Sequence, residues 1–71
     1  MDIIKVFGKN LRKHRESKGW SQEKLAEESG LHRTYISGIE RGTRNPTITI
    51  VWKISKAMKV DVGELFKEDE S

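Results

Sequence analysis

Gln22-Glu23-Lys24-Leu25-Ala26-Glu27-Glu28-Ser29-Gly30-Leu31-His32-Arg33-Thr34-Tyr35-Ile36-Ser37-Gly38-Ile39-Glu40 reads as two short amphipathic helices hinged at a glycine. Leu25 and Ala26 are the inward residues of the first, Ile36 and Ile39 those of the second, at helical spacing. Gly30 ends the first helix where the backbone turns to positive φ, and Leu31 plugs the turn. Ala26 and Gly30 carry almost no side chain, so they are expected at the tightest points of a steep crossing.

Two helices so disposed form a helix-turn-helix, whose second member lies in the DNA major groove while the first crosses the backbone. With Ile36 and Ile39 turned inward, Arg33, Thr34, Ser37 and part of Tyr35 face the groove. Arg33 enters first, and its guanidinium suits guanine O6 and N7. Thr34 and Ser37 suit base edges or a thymine methyl, and the Tyr35 hydroxyl a phosphate or a base. Gly38 is expected to let the helix approach DNA closely. Ser21 caps helix 2, and Ser21 and Gln22 at its first turn face a phosphate, assisted by the helix dipole. Arg41, Thr43 and Asn45 follow helix 3 near the duplex backbone, and Arg44 reaches a base or the minor groove. The bland alternative for all of these is a solvated polar face.

Composition agrees with a polyanion partner. Net charge is +3, but residues 1–60 hold thirteen Lys/Arg against six Asp/Glu, and residues 61–71 one Lys against five acids. A basic body with an acidic tail follows, with the tail (68–71) expected to be disordered. Cysteine is absent, which excludes disulfides, thiolate zinc sites and a cysteine nucleophile. His14 and His32 lie on different helices, and the acids are spread over exposed faces, so neither a metal site nor an acid–base pair is expected, nor any cofactor or small-molecule ligand. Apolar runs of two to three residues exclude a membrane span, and the N-terminus lacks a signal-peptide layout, which points to the cytoplasm.

The remaining elements surround the motif. Helix 1 runs to about Ser17 from an Asp2 cap, with Phe7 and Leu11 in its apolar stripe and Gly19 as its stop. Arg15 on helix 1 and Glu40 on helix 3 are lone charges at helix ends, expected to pair. Helix 4, from about Ile48 to Met58, turns Ile48, Val51, Ile54, Ser55 and Met58 to one face, flanked by Ile50, Ala57 and Trp52. This arc spans about 220°, where one core needs little over 100°. The surplus predicts a homodimer, with Ile50, Trp52, Val62, Leu65 and Phe66 as candidate contacts. Asp61 to Glu64 reads as a capping box opening a fifth helix. The expectation is an all-α, five-helix domain over residues 1–67.

Leu11-Arg12-x-x-Arg15, Gly19-x-Ser21-Gln22-x-x-Leu25-Ala26, Gly30 and Ile36-x-x-Ile39-Glu40-Arg41-Gly42-x-x-x-Pro46 together resemble the lambda-repressor-like (Cro/C1-type) helix-turn-helix family over residues 4 to 66. The resemblance implies pairing of Arg15 with Glu40 and a phosphate contact for Gln22. His32 through Pro46 is similar to the controller proteins of restriction–modification systems. That likeness implies a small dimer on a palindromic operator ahead of its own gene, activating at low occupancy and repressing at high, with Arg33, Thr34, Tyr35 and Arg44 at the DNA. His32 departs from the acidic cap usual there, which leaves helix 3 less firmly started or sets His32 on the DNA. The reading helix is also similar to that of solitary and prophage regulators, and a phage repressor or an antitoxin-type regulator is the alternative reading. From another class comes a protein-interaction module that uses helices 4 and 5 without binding DNA. Activation would require a surface for RNA polymerase, for which Glu23, Glu27 and Glu28 are candidates, although a solvated face is their simpler reading.

Overall fold

Asp2 starts the first helix by accepting hydrogen bonds from the backbone N–H of Ile4 at 3.1 Å and of Lys5 at 3.4 Å. The computed structural model describes residues 2–68. It holds α1 (Ile3–Ser17), α2 (Gln22–Ser29), α3 (Arg33–Arg41), α4 (Ile48–Met58) and a terminal 3-10 helix (Val62–Phe66), with no strand among the described residues. Of the expected acidic tail, all beyond Glu68 lies outside the described residues.

Side-chain caps place two more starts. Ser21 Oγ accepts from Lys24 N at 3.0 Å, and Thr47 Oγ1 from Ile50 N at 3.2 Å. Each such cap contributes about 1 kcal/mol. His32 stands at the N-cap of α3 and makes no side-chain cap bond, so α3 is held by packing instead. Gly19, Gly30 and Gly42 take the left-handed conformation after α1, α2 and α3. Lys59 does the same after α4 with φ 55°, the one non-glycine residue at positive φ among the described residues. Its Cβ is strained there by about 1 kcal/mol or more. Lys59→Gly is therefore expected to raise stability by about 0.5–1 kcal/mol, read as a thermal midpoint a few degrees higher. An unchanged or lower midpoint would show that the strain is absent.

Phe7 and Leu11 of α1, Leu25 of α2, Ile36 and Ile39 of α3, Ile54 and Met58 of α4, and Leu65 form the buried core. Phe66 lies over it, its ring 5.2 Å from that of Phe7. Trp20, Ala26, Leu31 and Tyr35 pack partly against the same cluster. Gly30 does not sit at a tight crossing, since an added Cβ would meet nothing within 4 Å; Gly8 of α1 does, for a Cβ there would lie 2.2 Å from the carbonyl oxygen of Ile39. Gly30 is needed for its φ, Gly8 for its lack of volume.

Three expectations about the C-terminal half need correction. Ile48 does not share the core face of α4: it is 88% exposed, because Ile54, Ser55 and Met58 set the buried side and Ile48 lies at the helix start beyond the reach of the core. Leu65 is fully buried within its own chain, which leaves no side-chain surface for a partner. The fifth helix is present, as a 3-10 turn, but its expected capping box is not formed, for Asp61 makes no side-chain cap bond. Glu64 turns instead to Lys67, 2.7 Å away, which holds its carboxyl below the usual range. The segment is five residues long, too short to repay α-helix nucleation. It is tied down by Asn10 of α1, whose Nδ2 donates to the carbonyls of Leu65 at 3.1 Å and Lys67 at 2.7 Å. No helix among the described residues is long and apolar enough to cross a membrane.

Candidate nucleic-acid interface

The outward side of α3 begins with exposed Arg33 and Thr34, preceded by exposed His32. Tyr35 is half-buried and leans on the core, leaving its edge accessible. At about 100° per residue, Thr34, Ser37, Gly38 and Arg41 fall on one side, opposite Ile36 and Ile39. Arg41 Nη1 donates to Ser37 Oγ, so that hydroxyl is engaged within the helix. The loop after Gly42 brings Thr43, Arg44 and Asn45 alongside, all exposed. Among the described residues neither Arg33 nor Arg44 is engaged in an ion pair.

This face is fixed to the body by one polar cluster. Arg15 Nε lies 2.7 Å from Glu40 Oε2, and Arg15 Nη2 donates to Glu40 Oε1 at 3.0 Å, a bidentate pair. Arg15 Nη1 donates to the carbonyl of Trp20 at 2.7 Å. Gln22 Nε2 donates to Glu40 Oε1 at 3.0 Å. The two charged side chains are 9% and 4% exposed. The hydrogen bond to Glu40 raises the Arg15 pKa above the ordinary value, against the opposing effect of desolvation. Glu40 thus joins α3 to α1 and to the first residue of α2, while Arg15 ties α1 to the turn before α2.

The structure brings Ser21, Gln22, Arg33, Thr34 and the 43–45 loop to the ends and outer side of the α2–α3 pair, with Ser21 Oγ already committed to its cap. Thr43 Oγ1 donates to the carbonyl of Gly38 at 3.1 Å, which makes Thr43 first a brace for the loop. Gly38 is not bare for DNA to approach. It is covered by the Arg44 stem, for a Cβ there would fall 2.5 Å from Arg44 Cγ. Sequence reasoning missed this seat, the Gly8 crossing, and the bond from Gln22 to Glu40. The one available signal was a glycine in the middle of each of two helices, α1 and α3. Of the acids on α2, Glu28 is paired with Lys24 at 2.9 Å, while Glu23 and Glu27 are exposed.

Residues 11–65 match the family described as Helix-turn-helix, of Cro/C1 type. The chain belongs to that family. The match spans the second half of α1, all of α2, α3 and α4, and most of the terminal 3-10 helix. The chain is 56% identical over 65 residues to the control protein C.BamHI of Bacillus amyloliquefaciens, covering 90% of this chain and 80% of that one. It is 45% identical over 65 residues to the control protein C.SmaI of Serratia marcescens, covering 92% and 77%. Its fold superposes on the crystal structure of the restriction–modification controller protein C.AhdI from Aeromonas hydrophila with a TM-score of 0.86 at 44% identity, over 89% of this chain and 96% of that one. The family is one of DNA-binding regulators and not of enzymes.

Proposed function

We propose that this chain is a sequence-specific, homodimeric transcriptional regulator of the controller type, working in the cytoplasm on a palindromic operator at its own promoter. The observation that carries the reading is Arg33: exposed, without an ion-pair partner among the described residues, and leading an α3 whose far end is clamped by Glu40. A cation so placed on a fixed helix is matched to a guanine in the major groove. Thr34, Tyr35, Ser37 and Arg44 extend the base-reading side, and Ser21, Gln22, His32, Arg41, Thr43 and Asn45 lie where phosphates pass. Gln22 keeps a second Nε2 hydrogen free for a phosphate while its first is held by Glu40. The acidic side of α2 is read as solvated, with RNA polymerase the alternative occupant.

A second copy accounts for the apolar surface away from α3. Trp52 is 55% exposed, and Ile48, Val62 and Phe66 are exposed with it. Ile50 is half-buried beside them. A shallow, mostly apolar groove between Ile3, Ile4, Phe7, Pro46, Val51 and Phe66 adjoins that surface, with Asn45 of the loop after α3 at its edge. Ile48 and Trp52 lie one turn apart on α4, and an exposed pair of large apolar side chains at that spacing suits a partner surface. A dimer closed through it would present two α3 helices to half-sites about 34 Å apart.

Footprinting upstream of the reading frame, across a salt series, tests the reading. The wild-type chain is expected to protect a palindrome, with affinity falling steeply as salt rises. Arg33→Ala is expected to lose about 1–3 kcal/mol of discrimination in each half-site while keeping the salt-dependent, sequence-independent component. Weak binding that is blind to sequence and indifferent to the substitution would overturn the proposal and favour the interaction-module reading.

A further inference from the structure

We infer that Gly38 is a specificity-determining position, because its missing Cβ is the seat that fixes the Arg44 side chain against the reading helix. The inference rests on the DNA-binding reading and adds to it a residue that touches no base. Gly38 is buried, although it lies on the outward side of α3 beside Thr34 and Arg41. What buries it is the following loop. A Cβ at this position would stand 2.5 Å from Arg44 Cγ, 3.5 Å from Arg44 Nε and 3.5 Å from Thr43 Oγ1. The Arg44 stem therefore crosses the α3 backbone at the one residue without a side chain to obstruct it.

The carbonyl of Gly38 completes the seat. It accepts from Thr43 N at 2.9 Å and from Thr43 Oγ1 at 3.1 Å, so the residue before Arg44 is held to α3 by two bonds. Gly42 supplies the left-handed turn that returns the chain, with φ 78°. Arginine otherwise loses considerable rotamer entropy on binding. Lying along α3, the Arg44 side chain has lost part of that freedom before DNA arrives, which is preorganisation of a base-reading group. Arg44 then reads in a fixed register with Thr34, one turn away on the same side, and not as a mobile loop cation.

The contact that Gly38→Ala would create is with a flexible side chain and not with backbone, so the fold is expected to survive. Alanine also favours the helix over glycine. Gly38→Ala should melt at or above the wild-type temperature. It should nevertheless weaken operator binding about 5- to 150-fold, the range of one base contact, and lose discrimination only at the base pairs that Arg44→Ala also relaxes. The double variant Gly38→Ala/Arg44→Ala should bind no worse than either single one, since both remove the same interaction. A readout independent of DNA is 15N relaxation of the Arg44 Nε–H group, expected to be restricted in the wild type and free in Gly38→Ala.

The arms separate the ways of failing. A restricted Arg44 in a wild-type chain that binds no operator would sink the functional reading and with it the role in specificity, while leaving the seat. Wild-type binding by Gly38→Ala, an additive double variant, or a freely moving Arg44 in the wild type would overturn the seat itself. Should Gly38→Ala fail to fold, Gly38→Ala/Arg44→Ala must restore folding. If it does not, Gly38 serves the helix packing and not Arg44.

Discussion

Glu40→Ala is expected to cost about 3–5 kcal/mol, a large fraction of the stability of a domain of 71 residues. Arg15, 8% exposed, would keep its charge and its bond to the Trp20 carbonyl but lose both oxygens that compensate it. Gln22 would lose its partner in the same step. The penalty is that of an uncompensated buried cation, and it does not measure the net worth of the pair. The paired replacement Arg15→Met with Glu40→Leu should therefore recover much of the loss, since a buried ion pair is often matched by apolar residues of similar volume. It would not recover DNA affinity, because Gln22 and the end of α3 would both be released. Urea titrations of the three proteins decide the matter. A loss below about 1 kcal/mol in Glu40→Ala would place the pair among solvent-screened surface bridges.

Gly8→Ala is the second substitution of large expected effect, and it contrasts with the same change at Gly38. Its Cβ would lie 2.2 Å from the carbonyl oxygen of Ile39, 3.1 Å from that of Glu40 and 3.2 Å from Glu40 Cα. All three atoms are backbone, so relief requires α1 and α3 to part, opening the core between Phe7, Leu11, Ile36 and Ile39. Overpacking of this kind costs about 1–3 kcal/mol, and backbone obstruction places it at the upper end. Alanine returns up to about 1 kcal/mol in helix propensity, which leaves a net loss near 2 kcal/mol. The Arg15–Glu40 pair spans the same two helices, so operator affinity should fall with stability. A melt unchanged by Gly8→Ala would mean that α1 can withdraw freely. The pair of glycines then forms a direct comparison: alanine at position 8 is expected to destabilise, alanine at 38 to leave the fold intact and impair reading.

What could be read from the sequence was what depends on neighbours in the chain. Ser21, Thr47 and Gly30 act within a few residues, and their roles as caps and stop follow from residue type and spacing. Arg15 and Glu40 are twenty-five positions apart, yet each is a charge on an otherwise committed helix end, and that was enough to suggest each other. Ile48 and Leu65 were misplaced for a related reason. Periodicity assigns a face to a helix but does not say where along the helix the core ends, nor whether a short apolar segment turns into its own core or away from it. The Arg44 seat lay beyond such reasoning altogether, because it is set by the path of a loop side chain across a helix. A glycine in mid-helix was its only trace in the sequence.

Asn10 reaches carbonyl groups fifty-five and fifty-seven positions downstream, and Phe7 stacks with Phe66 in the same corner. The first helix is thus finished only by the last turn of the fold. α1 meets α3 through Gly8 and Arg15, but its Asn10 side finds its carbonyl partners only when the segment through Lys67 has folded back. Contacts of such long sequence separation close late. The 3-10 helix is therefore a latch on α1: a change that released it would loosen the start of the fold as well as its end.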